Sequence, residues 1–267
     1  MLTIADLPLS MRESLGVGDE GQLRVINESP VNATYCLSSE DERFLVKWFH
    51  ADEATGRARP LLLAMQRKVA KAGLAPMPLY LSQERGLYVE EWISPCIQPL
   101  TLLPDNAKMQ HLAKALCLTH DLKITTSLND LPAQWEHYMA VSGPAEKSGL
   151  GRQIQTLLPL YDQAMDEKEH LVFCHNDLSL NHIVDYETPV LIDWEYAATG
   201  NRFFDIGSAI KINRLNTMQQ ALLIECYADN TGLSVDLISE RLHKYQPLLN
   251  FTYQLWYAAI KAHTNAR

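Results

Sequence analysis

The chain of 267 residues lacks a long apolar run, lacks a basic run and has only five cysteines, and each shortage removes a class of protein. No uninterrupted apolar stretch approaches the length that spans a bilayer, so no transmembrane helix is expected. The N-terminal segment Met1-Leu2-Thr3-Ile4-Ala5-Asp6 has no basic segment leading a long apolar one, so no signal peptide is expected. With no basic run and a net charge of −9, nothing is available to neutralise a phosphate backbone, which argues against nucleic-acid binding. Cys36, Cys96, Cys117, Cys174 and Cys226 are scattered, odd in number and without C-x-x-C spacing. That pattern argues against a disulfide framework or a zinc site and fits a reducing, cytoplasmic setting. Internal repeats and low-complexity tracts are absent too. What is present is a globular composition, 47% apolar, on a chain long enough for two lobes. A monomer or homodimer acting on a small molecule is expected. An acidic chain is compatible with a cationic substrate.

Alternation and turn signals predict strands at 22–26, 33–37, 43–49 and 87–93, with a helix at 61–72 between the third and fourth. Ser94-Pro95, Gln98-Pro99 and Pro104 form a proline-rich break, the candidate hinge. Beyond it, helical spacing appears at 106–120, a loop at 143–151 and a helix at 152–166. Short strands follow at 172–174, 183–184 and 190–192, then helices at 217–229, 235–245 and 248–263. The expected fold class is therefore α+β and bilobal. A small β-rich nucleotide-binding lobe (1–95) precedes a larger helical lobe (96–267) for catalysis and substrate binding, with a cleft between them.

The chemistry concentrates in Phe173-Cys174-His175-Asn176-Asp177-Leu178-Ser179-Leu180-Asn181-His182-Ile183 and in Leu191-Ile192-Asp193-Trp194-Glu195. Two acidic residues each follow a short apolar strand. Phosphoryl transfer from ATP needs carboxylates in two roles, one orienting the attacking hydroxyl and one holding Mg²⁺. Asp177 suits the first, with His175 bracing its loop through a backbone carbonyl. Asp193 suits the second, and Glu195 two residues on points to the same side of an extended chain. Converging carboxylates repel unless a cation joins them. Lys47, in Phe44-Leu45-Val46-Lys47-Trp48-Phe49, lies on a strand with both faces apolar, where a lysine needs a partner or lines a cleft. Its expected role is contact with nucleotide phosphates.

Together these elements resemble the aminoglycoside phosphotransferase/choline kinase superfamily, which has a protein-kinase-like fold. The resemblance covers roughly residues 20–260 and is most specific at 175–183 and 191–207. Ile192-Asp193-Trp194-Glu195-Tyr196-Ala197, then Phe204-Asp205-Ile206-Gly207, look like the bacterial thiamine kinase or choline kinase branch. The resemblance implies Asp177 as catalytic base, Asp193 as metal aspartate, Glu195 as an added acidic residue of the metal region and Asp205 as a structural aspartate. It also implies ATP and Mg²⁺ as cofactors. Asn32, in Val31-Asn32-Ala33-Thr34-Tyr35, matches the nucleotide-covering hairpin, and the backbone of Glu91 and Trp92 falls where the adenine-binding linker is expected.

Three departures from the family pattern stand out. His182 occupies the place of the asparagine that serves as second metal ligand, with Asn181 one residue earlier. Either His182 binds metal or nucleotide, or the loop shifts to use Asn181, or metal binding is weaker. The covering hairpin at 27–34 contains no glycine. No glutamate on the 61–72 helix is available to pair with Lys47; that helix offers Gln66. For the acceptor, Tyr253, Trp256 and Tyr257 match a tryptophan-bearing helix that lines a cationic pocket in the choline kinase branch, while their spacing also fits helix-core packing. Thiamine is the first expected substrate, choline or ethanolamine the second, and an aminoglycoside a distant third. The competing expectation is a catalytically silent kinase fold that binds nucleotide or metabolite.

Overall fold

The computed structural model describes residues 2–40, 42–56, 58–143 and 147–265. Its N-terminal lobe is a five-stranded antiparallel sheet made of β1 (Gln22–Glu28), β2 (Asn32–Ser38), β3 (Arg43–Phe49), β4 (Pro78–Ser82) and β5 (Leu87–Glu91), in the order β1-β2-β3-β5-β4. Side-chain alternation gives each central strand two faces. One face, with Tyr35, Leu37, Phe44, Val46, Leu87 and Val89, packs against Leu7, Met11, Leu15 and Val17. Helix α1 (Leu9–Ser14) lies in that covering segment. The opposite face carries Thr34, Lys47, Tyr88 and Glu90, with Lys47 directly across from Thr34 and Tyr88. Helix α3 (Arg59–Lys71) follows the short α2 (Asp52–Thr55) and sends Gln66 to that second face, where it bonds Glu90. Its Met65 and Val69 join the core of the other lobe.

The C-terminal lobe is helical. Helix α4 (Asp105–Asp121) packs on α8 (Thr217–Thr231), and α5 (Leu131–Ser142) and α7 (Arg202–Ile212) pack on α9 (Val235–Asn265). Helix α6 (Lys147–Asp166) also rests against α9. Gly207 permits the close approach of α7 to α9, since a Cβ there would collide with Leu249. Two small ribbons sit in this helical frame: β6 (Leu171–Cys174) pairs with β9 (Ala198–Asn201), and β7 (Ile183–Asp185) pairs with β8 (Val190–Leu191). They are the strand ends from which the expected acidic residues emerge.

The fold is the expected bilobal α+β arrangement, with differences in detail. The strand expected at 87–93 ends at Glu91. Residues 144–146 of the loop expected at 143–151 lie outside the described residues, and from Lys147 the chain is already helical. The helices expected at 235–245 and 248–263 are one helix that runs through Pro247. Proline removes one amide donor there. Buried Tyr245, Leu248, Leu249 and Phe251 on either side hold the helix in line. Among the described residues, no helix is long and apolar enough to cross a membrane.

Candidate active site

Strand β6 delivers the chain into His175, which is 0% exposed. Its Nε2–H donates to the carbonyl of Ile192 at 3.0 Å, and its Nδ1 accepts the Asp177 N–H at 3.3 Å. Both bonds call for the neutral ring, so one imidazole ties the loop that bears Asp177 to the residue preceding Asp193. Burial, and then the neighbouring His182, push its pKa down to about 4 against the upward pull of Asp205. An unfolded histidine takes up its proton near pH 6.5. Between those values the unfolded chain holds a proton that the folded chain lacks, so stability falls as pH drops from about 6.5 towards 4. The urea midpoint is expected to decline over that window and to decline less steeply in His175→Gln. Parallel pH profiles for the two proteins would contradict this account.

Asp205 anchors the same loop from below. Its Oδ1 accepts the Asn176 N–H at 2.7 Å, and its Oδ2 accepts the His175 N–H at 2.9 Å and His120 Nε2 at 3.1 Å. The loop needs that anchor because Asn176 has φ +62°, a left-handed conformation costly for residues other than glycine. Asp193 is left-handed as well, at φ +69°. Asn and Asp are the side chains that best tolerate this region, and here both stand where the chain turns out of a strand.

His182 Nδ1 lies 2.7 Å from the Asp177 carbonyl, which can only accept, so Nδ1 carries the proton. In the neutral ring Nε2 is then a lone pair, and it faces Asp193 Oδ2 at 3.5 Å, a second acceptor. A cation between two such acceptors, or a second proton on the ring, resolves the arrangement. Asp177, His182 and Asp193 offer ligand atoms within 4.8 Å of one another. This set of two carboxylates and an imidazole fits a divalent cation. Asn181 is exposed and does not line the cavity beside the group. Glu195, also expected in the metal region, gives Oε2 to Arg59 Nη1 at 2.6 Å.

Lys47 reaches Asp193 Oδ1 at 2.7 Å and is 6% exposed. Burial alone would lower its pKa. Asp193, Glu90 and Glu195 outweigh that and hold it at about 12. Asp193 balances burial, which favours the acid, against Lys47 and His182, which keep its carboxyl well below the usual range. Arg59, also buried, lies over the Phe49 ring at 3.5 Å and pairs with Asp52 and Glu195. Sequence reasoning missed Arg59. It opens a helix beside a proline, and nothing local points to a carboxylate 136 positions away.

Beside these groups lies a cavity of about 390 Å³. Asn32, Asp177, His182, Asp193 and Glu195 line it, and so do Tyr253, Trp256 and Tyr257. The covering hairpin, lacking glycine, is closed by Ser29, whose hydroxyl accepts the Asn32 N–H at 3.1 Å and donates to the Asn32 carbonyl at 3.0 Å. Trp256 Nε1 donates to Tyr196 at 2.9 Å, and Tyr253 shares a 2.9 Å bond with Ser208. Tyr257 is 60% exposed. Lys211 stands 5.4 Å from the Tyr253 ring centre, so that ring face already holds a cation. Glu91 and Trp92 are not brought to this cavity. The Glu91 N–H is taken by the Met77 carbonyl at 3.0 Å.

Residues 23–232 match the model of the phosphotransferase enzyme family. Among curated proteins, the protein LicA homolog of Metamycoplasma hominis is 26% identical over 178 residues, 65% of this chain and 66% of that protein, so the chain spans less than two thirds of its relative's length. Two solved structures share the fold. A choline/ethanolamine kinase family protein from Mesorhizobium loti superposes with a TM-score of 0.70 at 18% identity, over 95% of this chain and 82% of that one. Choline kinase LicA from Streptococcus pneumoniae does so with a TM-score of 0.70 at 16% identity, over 96% and 91%. With the family model covering most of its length, and with that fold carrying the site just described, the chain belongs to the phosphotransferase enzyme family.

Proposed function

We propose that the protein is an ATP-dependent kinase of a small hydroxylated, cationic metabolite. One observation carries the reading: Asp177, His182 and Asp193, from two ribbons of one lobe, line a single cavity, and Lys47 from the sheet of the other lobe pairs with Asp193 at 2.7 Å. Nucleotide occupies the cleft between the lobe of residues 1–95 and that of residues 96–267, under Asn32, with Lys47 against its phosphates. Asp193 and His182 hold Mg²⁺, which when bound neutralises charge on the transferred phosphoryl group. Asp177 accepts the proton of the acceptor hydroxyl and aims its oxygen. His175 keeps Asp177 in register with Asp193 through the backbone.

The acceptor lies against Trp256 and Tyr257, whose faces attract an alkylated ammonium or stack on a thiazolium ring. Thiamine and choline both meet that description, and the similarity to a choline/ethanolamine kinase family protein and a choline kinase supports the choline reading. ATP consumption measured against thiamine, choline, ethanolamine and an aminoglycoside decides among them. A cationic alcohol is expected to stimulate turnover and the aminoglycoside is not. Trp256→Ala is expected to raise KM for the preferred acceptor by about tenfold, the loss of one well-formed cation–π contact, with KM for ATP unchanged. Tight ATP binding with no turnover on any acceptor would favour a silent, nucleotide-sensing kinase fold.

A further inference from the structure

Lys47 is held by Asp193, and Asp193 is also the carboxylate that faces His182. In the reading proposed above, on which this inference rests, both must change partner when metal and nucleotide arrive. Asp193 turns its oxygens to the cation, and Lys47 turns to the phosphates. A buried ammonium that leaves its counter-ion needs another close by, since an unpaired buried charge is expensive.

One carboxylate is placed for this. Glu90 is buried on β5, two residues from Tyr88, so it shares a face with the residue directly opposite Lys47. Its Oε2 is fully engaged, by Gln66 Nε2 at 2.6 Å and by the Tyr88 hydroxyl at 2.9 Å. Its Oε1 is buried with no hydrogen-bond partner. A carboxylate fixed by two neutral donors through one oxygen, with the other left bare, is arranged to receive a cation. Gln66 complements this. It sits on α3, where a glutamate would set two carboxylates at 2.6 Å from each other; the amide instead donates to Glu90 and, at 3.2 Å, to the Pro76 carbonyl.

We propose that Glu90 is the positioning residue for Lys47. It receives the ammonium on Oε1 as Asp193 is drawn to the metal, and it holds the lysine against the nucleotide phosphates. The anion that the helix lacks is supplied by the neighbouring strand.

The test is a double-mutant cycle on the whole protein, with affinity for Mg²⁺ and a non-hydrolysable ATP analogue measured by calorimetry in wild type, Glu90→Gln, Lys47→Met and the pair. Glu90→Gln is expected to weaken binding by about tenfold in wild type and not at all in Lys47→Met, because Glu90 acts only through Lys47. The melting temperature of Glu90→Gln should not fall, since the amide keeps the Tyr88 contact and removes a buried charge. Gln66→Glu combined with Glu90→Gln returns the carboxylate from the helix side and should recover most of the loss. Equal weakening in both backgrounds, or none in either, overturns the proposal while leaving the kinase reading intact. A wild-type protein that binds no nucleotide overturns that reading and this one together.

Discussion

Asp177→Asn is expected to lower turnover by about two to four orders of magnitude, the usual worth of a positioned general base. Asparagine keeps the size and shape of the side chain but cannot take up a proton. The loop around it has its own supports, which do not involve the Asp177 carboxylate: the Asp177 N–H stays on His175, and the Asp177 carbonyl stays on His182. Nucleotide affinity should therefore stay within about twofold, because the substitution leaves Lys47 and Asp193, the groups assigned to phosphates and metal, unchanged. Steady-state ATP consumption with the preferred acceptor, alongside calorimetric titration of nucleotide, separates the two effects. Near-normal turnover would remove Asp177 from the role of base. An equal loss of nucleotide binding would make it a ligand site for the metal instead.

Asp205→Ala should be among the most destabilising single changes in the chain. The carboxylate is 0% exposed, and its three partners all donate to it. Alanine would leave the buried His175 amide, the part-buried Asn176 amide and the His120 ring without an acceptor, and His120 is itself fixed at 2.7 Å to Tyr227. Breaking a buried charged network by removing one member costs about 3–5 kcal/mol. At the usual 2–4 °C per kcal/mol for a chain of this size, the melting temperature should fall on the order of 10 °C. Asn is no remedy, because its amide nitrogen would have to face one of those donors. Activity per folded molecule should fall as well, since Asn176 loses the bond that holds its left-handed turn. A variant with unchanged melting temperature and activity would show that the loop is held from elsewhere.

The parts legible in the sequence were those with a local signal. Strand β3 was expected at its observed limits because Phe44 to Phe49 is an apolar, strand-forming run interrupted only by Lys47, and strand geometry put Lys47 on the face of Leu45 and Phe49. His175, Asp177 and Asp193 could be found because each leaves a short apolar strand. Less legible was whatever depends on distant partners. Strand β9, Ala198-Thr199-Gly200-Asn201, has no apolar run of its own; it is extended because β6 pairs with it and because Thr199 exchanges backbone bonds with Ser127 and Asn129. Helix α5 also went unread, although Leu131, Trp135 and Tyr138 bury one of its faces and Asp130 caps it. The Arg59–Glu195 and Gln66–Glu90 pairs join elements that sequence spacing alone cannot bring together. His182 was read as a choice among a ring that binds metal or nucleotide, a loop shifted to use Asn181, and weaker metal binding. The turn geometry, with Nδ1 on the Asp177 carbonyl, directs the ring at Asp193.

Helix α9 spans 31 residues, about 46 Å, and its last turns do not stay in their own lobe. Ile260 packs with Ala51 and Ala54 beneath the sheet, and His263 donates to the His50 carbonyl at 3.0 Å. One and two turns earlier, the same rod presents Trp256 and Tyr253 to the cavity proposed for the acceptor. A ligand that presses on those rings thus presses on a lever whose tip bears on the opposite lobe. Thermodynamic reciprocity follows: if acceptor binding tightens the grip on nucleotide by some factor, nucleotide tightens the grip on acceptor by the same factor.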